Sequence, residues 1–307
     1  MGRDDLTERP RWSRRQLLAG GVVGLLGAAV AGVELVDHGV LPGKATLDQL
    51  TGACSVSGPA LTFAPVGTSL SGTFYSRARN RTVGYTIAYP PGHARGSQLP
   101  LVVYLHAYGG SHRSPLGGVT LAQALAARHD GRPLPPMAAV AVDGGGLYWN
   151  PHPGDDPLAM LVNEVIPRCR RLGLGRKPGG IGTVGISMGG YGALLLAEKH
   201  PHLIAAVAAI SPAVWTSYPQ ARAANAGAFA SARDFADDDV VTHASALAGV
   251  SVRIASGTDD PFHPGVVALA RALPGSAVVD FTAGCHDTAF FASQQHQSLA
   301  FLGSHLA

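Results

Sequence analysis

The stretch that decides the fold lies at residues 181–192, which read I-G-T-V-G-I-S-M-G-G-Y-G. Ile181–Val184 is a short apolar run of strand length, and Met188–His200 has the pattern of a helix. Gly185–Gly189 joins them as G-x-S-x-G. In this setting the glycines allow a sharp turn, which holds the Ser187 hydroxyl clear of the sheet at a helix N-terminus. Ser187 is therefore the candidate nucleophile, and the amide of Met188 is a candidate oxyanion donor.

Strand and helix patterns alternate on both sides of this turn. Gly72–Ser76 and Thr82–Tyr89 predict a leading antiparallel hairpin. Further strands are predicted at Leu101–Leu105, Met137–Val142, Leu203–Ile210, Val252–Ala255 and Ala277–Phe281, with helices at Leu116–Arg128, Leu158–Leu172, Gly265–Leu273 and His286–Leu306. The alternation predicts an α/β fold: a mostly parallel sheet, helices on both faces, and a small cap within Ser211–Val250. Ligands of such sheets bind beyond the carboxyl ends of the strands.

A serine nucleophile needs a histidine base and an orienting acid, which follow it in the chain in the order acid, histidine. His286 follows the last predicted strand through a short loop, whereas His296 and His305 fall within the final helix. Asp259 and Asp260 both follow the preceding strand, so position alone leaves the choice of acid open.

A second oxyanion donor is expected in the loop after the first parallel strand. That loop reads H-A-Y-G-G at His106–Gly110, and its paired glycines permit a tight path. The side chain of His106 itself is expected to be structural. Asp143–Trp149, at the exit of the next strand along the chain, either lines the same cleft or is an ordinary glycine-rich connection.

These motifs together resemble the esterase D / putative-esterase family of α/β-hydrolases, from about Gly72 to the C-terminus. That family includes S-formylglutathione hydrolases, feruloyl and acetylxylan esterases, and secreted mycolyltransferases. The matching stretches are Tyr85–Gly92, Leu101–Gly110, Val142–Trp149, Glu164–Pro167, Gly185–Leu194, Ser211-Pro212, Gly257–Phe262 and Gly284–Phe291.

The resemblance assigns roles to individual residues. It implies an α/β-hydrolase fold with Ser187 as nucleophile, Asp260 as acid and His286 as base, and backbone oxyanion donors at Met188 and Tyr108. Two departures concern the cleft: Ala107 stands where the family usually has glycine, and Thr288 and Phe291 replace part of the usual aromatic set near the C-terminal histidine.

The N-terminus predicts export. Arg11–Arg15 reads R-W-S-R-R and precedes an uncharged run from Leu17 to Val33, the pattern of a twin-arginine (Tat) signal. We therefore divide the chain into a signal peptide or signal anchor (1–33), a tether (34–66) and the hydrolase domain (67–307). Ala29-Val30-Ala31 offers a cleavage site, and an uncleaved segment 17–33 would anchor the protein in the membrane.

Composition excludes several classes of protein. The chain of 307 residues is 46% hydrophobic and 14% charged, which is too apolar for intrinsic disorder. Its net charge is +3, and the first thirty residues hold five arginines and three acids, leaving 18 − 17 = +1 for the rest. Nucleic-acid binding therefore has little support.

Neither the spacing of the cysteines nor the run of three aspartates indicates a metal or cofactor site. An exported chain could pair two of Cys54, Cys169 and Cys285, and their spacing does not say which two. No cofactor or metal is expected, and Asp237-Asp238-Asp239 is interpreted as a solvated turn.

The sequence predicts an exported serine esterase acting on a small-molecule or cell-envelope ester through an acyl-enzyme. The alternatives are an acyltransferase that moves the acyl group to a sugar hydroxyl, and a catalytically inactive envelope-binding module.

Overall fold

An eight-stranded mixed sheet forms the centre of the fold in this computed structural model, which describes Cys54, residues 65–275 and residues 277–306. The predicted signal segment 1–33 and most of the tether 34–66 lie outside the described residues. The strands are β1 (Ser69–Ser76), β2 (Arg81–Ala88), β3 (Leu101–Leu105), β4 (Ala138–Val142), β5 (Ile181–Ile186), β6 (Ala206–Ile210), β7 (Ser251–Gly257) and β8 (Val278–Thr282).

The strand order in the sheet is β1-β2-β4-β3-β5-β6-β7-β8. β1 and β2 pair antiparallel, as do β2 and β4, and every other neighbouring pair is parallel. All five residues of β3, β4 and β6 are buried, which explains why these strands appear in the sequence as continuous apolar runs.

Helices cover both faces of the sheet. They are α1 (Leu121–Leu125), α2 (Pro157–Met160), α3 (Ile166–Arg171), α4 (Met188–Lys199), α5 (Tyr218–Ala224), α6 (Ala232–Asp237), α7 (His263–Ala272) and α8 (Thr288–His305). Between α2 and α3, Leu161–Val165 forms a π-helical turn, and Ala244–Leu247 is a 3₁₀-helix. None of the helices in the described part of the chain is both long and apolar enough to cross a membrane.

Alternate side chains of the central strands supply two hydrophobic cores. Leu101 and Val103 of β3 belong to the core beneath α2, α3, α4 and α7, whereas Val102 and Tyr104 belong to the core beneath α1 and α8. This alternation, with a period of two residues, and the mostly parallel sheet confirm the predicted α/β architecture with helices on both faces.

The helix predicted at Leu116–Arg128 is much shorter in the structure. Gly117 and Gly118 have φ of +59° and +88°, outside the helical region, so α1 begins only after them. Thr120 caps it by accepting the amide of Gln123, whose side chain returns a bond to the cap backbone. Arg128–His129 then pairs with Arg132–Pro133 in a small ribbon.

The predicted cap between Ser211 and Val250 consists of short elements. It contains α5, α6 and the 3₁₀-helix, none longer than seven residues. Phe229 and Phe235 of this region point inward and are 3% and 8% exposed. The cap therefore packs down on the body of the domain.

Candidate active site

Ser187 occupies a strained turn at the end of β5. Its φ of +55° and ψ of −120° lie in a region that residues with a Cβ rarely adopt. The chain passes so close to itself here that a Cβ on Gly185 would lie 2.0 Å from the Gly189 carbonyl oxygen. A Cβ on Gly189 would lie 1.9 Å from the carbonyl oxygen of Leu105. The G-x-S-x-G spacing is thus a steric requirement of the turn, and the turn presents Ser187 ahead of α4.

Ser187, His286 and Asp260 form one continuous hydrogen-bonded chain. His286 Nε2 lies 2.8 Å from Ser187 Oγ, and His286 Nδ1 lies 2.8 Å from Asp260 Oδ2. Because an ionised carboxylate can only accept, Nδ1–H donates to Asp260 and Nε2 accepts the Ser187 hydroxyl. The structure therefore places the imidazole lone pair against the serine proton, the arrangement that a general base requires.

The carboxylate of Asp260 is completely buried, whereas the side chain of His286 is 21% exposed. The second carboxylate oxygen of Asp260 accepts the amide of Phe262 at 2.8 Å, so both oxygens have partners. Burial and two fixed donors hold the acid in one orientation, whereas His286 and Ser187 are both partly exposed to solvent.

Asp259 points elsewhere, although position in the sequence made it an equal candidate. Its carboxylate accepts from the Thr258 hydroxyl at 3.2 Å, and its amide donates to the carbonyl of Gly284 at 3.0 Å. The structure thus brings Asp260, and not its neighbour, to His286.

His296 and His305 both lie in α8, as expected, and neither contacts the Ser187–His286 pair in a described hydrogen bond or ring contact. His296 packs against His129 with ring centroids 5.4 Å apart, and His305 Nδ1 lies 2.8 Å from the Phe301 carbonyl oxygen. His296 is thus a buried packing residue, and His305 is exposed near the end of α8.

The two candidate oxyanion donors are the first amide of α4 and an amide of the loop after β3. In α4 the amide of Tyr191 bonds the carbonyl of Ser187, so the amide of Met188 precedes the first intrahelical bond. Tyr108 lies in the His106–Gly110 loop after β3, where the Gly110 amide closes a turn on the Ala107 carbonyl at 3.0 Å.

The expected structural role of His106 agrees with its contacts. The side chain is 1% exposed, and burial lowers its pKa. Nε2 accepts the amide of Gly144 at 2.9 Å, so the ring carries its proton on Nδ1, which lies 2.8 Å from the Ala107 carbonyl oxygen. Ala107 has no positive φ, so the loop accommodates alanine there without strain.

Aromatic side chains surround the base, and part of this set was not predicted from the sequence. Phe262 and Phe291 contact the His286 ring at centroid distances of 5.0 and 5.1 Å. The Phe262 ring also contacts Trp215, with centroids 5.6 Å apart, and the Trp215 ring contacts Tyr148, with centroids 4.7 Å apart. Trp215 follows β6 closely, at the sheet edge where ligands bind, and this position was the available signal.

A disulfide joins Cys54 to Cys285, the residue that precedes His286, while Cys169 is free and buried. The two halves are 231 residues apart in sequence, so spacing alone could not select this pairing. The bridge ties the loop of the candidate base to Cys54.

The three consecutive aspartates make contacts within the protein. Asp238 pairs with Lys199 Nζ at 2.8 Å, and Asp239 accepts the amide of Val241 at 3.0 Å. Within the described ranges no three His, Cys, Asp or Glu side chains are arranged to hold a metal ion.

Comparison with known proteins identifies the family. A model of the family described as putative esterase matches residues 76–273. The chain belongs to this family. It is an ester hydrolase by family membership and has the α/β-hydrolase fold, as the sequence resemblance implied. Among curated proteins, none shows a significant match to the sequence.

Solved structures with the same fold are distant in sequence. A ferulic acid esterase is 19% identical, with a TM-score of 0.65 over 80% of this chain and 100% of its own. An S-formylglutathione hydrolase from Agrobacterium tumefaciens is 17% identical, with a TM-score of 0.61 over 82% and 100% of the two chains. The fluorophosphonate-binding serine hydrolase F from Staphylococcus aureus is 14% identical, with a TM-score of 0.59 over 78% and 99%.

Proposed function

We propose that this family member is an exported hydrolase of carboxylic esters that works through an acyl-enzyme. The observation that carries the proposal is the unbroken path Ser187–His286–Asp260, with both links at 2.8 Å. Membership of an esterase family supports the same reaction class.

In the first half-reaction Ser187 Oγ attacks the ester carbonyl carbon while His286 Nε2 takes the serine proton. The carbonyl oxygen gains negative charge, which the amides of Met188 and Tyr108 stabilise. When the intermediate collapses, His286 returns the proton to the departing alcohol oxygen, and the acyl group remains on Ser187.

In the second half-reaction water replaces the alcohol. His286 takes a proton from the water as it attacks the acyl carbon, and then returns that proton to Ser187 Oγ as the carboxylic acid leaves. Asp260 keeps the proton-bearing Nδ1 turned inward throughout, so Nε2 stays available at each step. The roles assigned here require no cofactor or metal.

Export rests on the twin-arginine pattern at Arg11–Arg15, which lies outside the described residues. We propose that the Tat machinery delivers the folded enzyme, either secreted or held by residues 17–33, to act on a small-molecule or cell-envelope ester. The disulfide between Cys54 and Cys285 supports an oxidising destination.

The triad is tested by three purified variants assayed on p-nitrophenyl butyrate. Ser187→Ala should abolish turnover and labelling by a fluorophosphonate probe. Asp260→Asn should lower kcat by about 10²–10⁴-fold, because the amide favours the wrong imidazole tautomer. Asp259→Asn is the matched control, and its kcat should fall less than about tenfold.

Two results would overturn the assignment. Full activity in Asp260→Asn together with a large loss in Asp259→Asn would show that Asp259 is the orienting acid. Fluorophosphonate labelling of folded Ser187→Ala would show that Ser187 is not the nucleophile. Mass spectrometry with added trehalose separates free acid from acylated sugar, and predominance of the sugar ester would favour the acyltransferase alternative.

A further inference from the structure

Both ends of the loop that carries the Tyr108 amide form hydrogen bonds with the segment that follows β4. At the near end, His106 Nε2 accepts the Gly144 amide at 2.9 Å, and the His106 carbonyl accepts Trp149 Nε1–H at 3.3 Å. This end is fixed by a completely buried tryptophan and a histidine that is 1% exposed.

At the far end of the loop, the Asp143 carboxylate holds the backbone of His112, and His112 Nδ1 lies 2.8 Å from Thr86 Oγ1 of β2. Asp143 Oδ1 accepts the His112 amide at 2.8 Å, and Asp143 Oδ2 accepts the Gly84 amide at 2.8 Å. Gly84 belongs to β2, so the carboxylate connects the loop amide of His112 to a strand of the central sheet. The Asp143 amide also donates to the Gly84 carbonyl at 3.0 Å, which extends the strand pairing by one bond.

The backbone of Asp143 is itself held by a buried arginine. Its carbonyl accepts Arg79 Nη1–H at 2.6 Å, and the same guanidinium forms a bidentate pair with Asp155 at 2.6 and 3.0 Å. The Arg79 side chain is 3% exposed and that of Asp155 is 10% exposed. A buried bidentate pair has one geometry, so the backbone from which the Asp143 carboxylate extends cannot drift.

We propose that Asp143 is a positioning residue, which fixes the far end of the His106–His112 loop and so aims the Tyr108 amide at the oxyanion. The inference rests on the proposed function, since it concerns the same intermediate. An oxyanion donor must lie about 2.7–3.1 Å from the developing charge, and a displacement of about 1 Å can cost on the order of 10²-fold in rate.

The sequence alone did not distinguish Asp143 from an ordinary strand exit. Its role depends on two amides that lie 59 and 31 residues earlier in the chain. Asparagine at this position keeps one acceptor oxygen but turns an NH₂ donor toward the second amide, so at least one of the two bonds is lost.

The test compares Asp143→Asn with Glu164→Gln in steady-state assays on p-nitrophenyl butyrate. Glu164 is the matched control because its Oε1 likewise accepts backbone amides, those of Arg77 and Ala78 at 2.9 and 3.1 Å, at the β1–β2 turn. We expect Asp143→Asn to lower kcat about 10–100-fold with KM within about threefold, and to slow fluorophosphonate labelling of Ser187 by a similar factor. Glu164→Gln should retain the wild-type kcat.

Each other outcome decides against the inference in a recognisable way. Wild-type kcat in folded Asp143→Asn refutes positioning and leaves the proposed function intact. An equal loss in Glu164→Gln assigns the effect to general destabilisation, and a rise in KM alone assigns Asp143 to ground-state binding. If the asparagine variant does not fold, Asp143→Ser, which places no amide donor in the gap, takes its place. A wild-type protein without ester hydrolysis would refute the proposed function and this inference together.

Discussion

Glu198 is a buried carboxyl group whose effect on stability can be calculated from its surroundings. It lies near the end of α4 and is 6% exposed, and neither carboxyl oxygen has a hydrogen-bond partner among the described residues. Burial, together with the nearby carboxylates of Asp239 and Asp238, raises the pKa of Glu198 to about 9 from 4.5, against the opposing charge of Lys199. The folded protein therefore holds this proton at neutral pH, whereas the unfolded chain releases it.

The sign of the linkage follows from this difference in bound protons. Since the folded-state pKa is the higher one, the unfolding free energy falls as the pH rises from 4.5 toward 9. Each pH unit in that window costs about 1.4 kcal/mol. At pH 7 the accumulated cost is about 3 kcal/mol, a large part of the stability of an ordinary domain.

Glu198→Gln removes the titration while keeping the size and polarity of the protonated group. Urea unfolding of wild type and variant at pH 5, 6, 7 and 8 measures the difference between them. We expect the variant to gain about 1.4 kcal/mol over the wild type for each pH unit, reaching about 3 kcal/mol at pH 7. Asp237→Asn is the control, because it makes the same change from carboxyl to amide at a side chain that is 65% exposed.

A difference between Glu198→Gln and wild type that stays constant from pH 5 to pH 8 would refute this reasoning. It would mean that the folded protein ionises Glu198 as readily as the unfolded chain does, and that a compensating cation reaches the site.

Two further predictions concern the substrate and the disulfide. The cap region at residues 211–250 has no large exposed apolar side chain, because Trp215, Phe229 and Phe235 all turn inward. We therefore expect p-nitrophenyl butyrate to be hydrolysed faster than the palmitoyl ester. The reverse order would show that a site for long acyl chains exists. Cys54→Ser opens the link between Cys54 and Cys285 and should lower the unfolding free energy by about 2–4 kcal/mol, measured in urea without reductant; equal midpoints for variant and wild type would contradict this.

The parts of this protein that the sequence predicted are those encoded by local signals. The strands β3, β4 and β6 are buried on both faces and therefore form apolar runs that need no context to interpret. The turn at Ser187 is equally local, because its steric demands fall on Gly185 and Gly189, both within two residues. Where local signals conflicted, as at Gly117-Gly118 within an otherwise helical pattern, the predicted helix was too long by several residues.

The features that escaped prediction depend on contacts between distant segments. Cys54 meets Cys285 only because the fold brings together two residues that are 231 positions apart in sequence. Glu198 has the spacing of a helix residue like any other, and nothing in its neighbourhood shows that its face of α4 is buried beside Asp238 and Asp239. A buried acid of this kind can be recognised only once the packing of the helix is known.

The candidate catalytic groups lie between these two cases, and the reason is topological. Ser187, Asp260 and His286 each follow a strand, β5, β7 and β8, and these strands run parallel, so their carboxyl ends reach the same edge of the sheet. Parallel connection thus turns an order along the chain into a proximity in space, which is why position after a strand sufficed to select His286. Orientation is not conveyed in this way: Asp259 and Asp260 reach the same edge, and only the turn that gives Asp260 the amide of Phe262 directs its other oxygen to His286. The same distinction applies to Tyr108: β3 brings its loop to the site, but the far end of that loop bonds to Asp143, which follows the neighbouring strand β4.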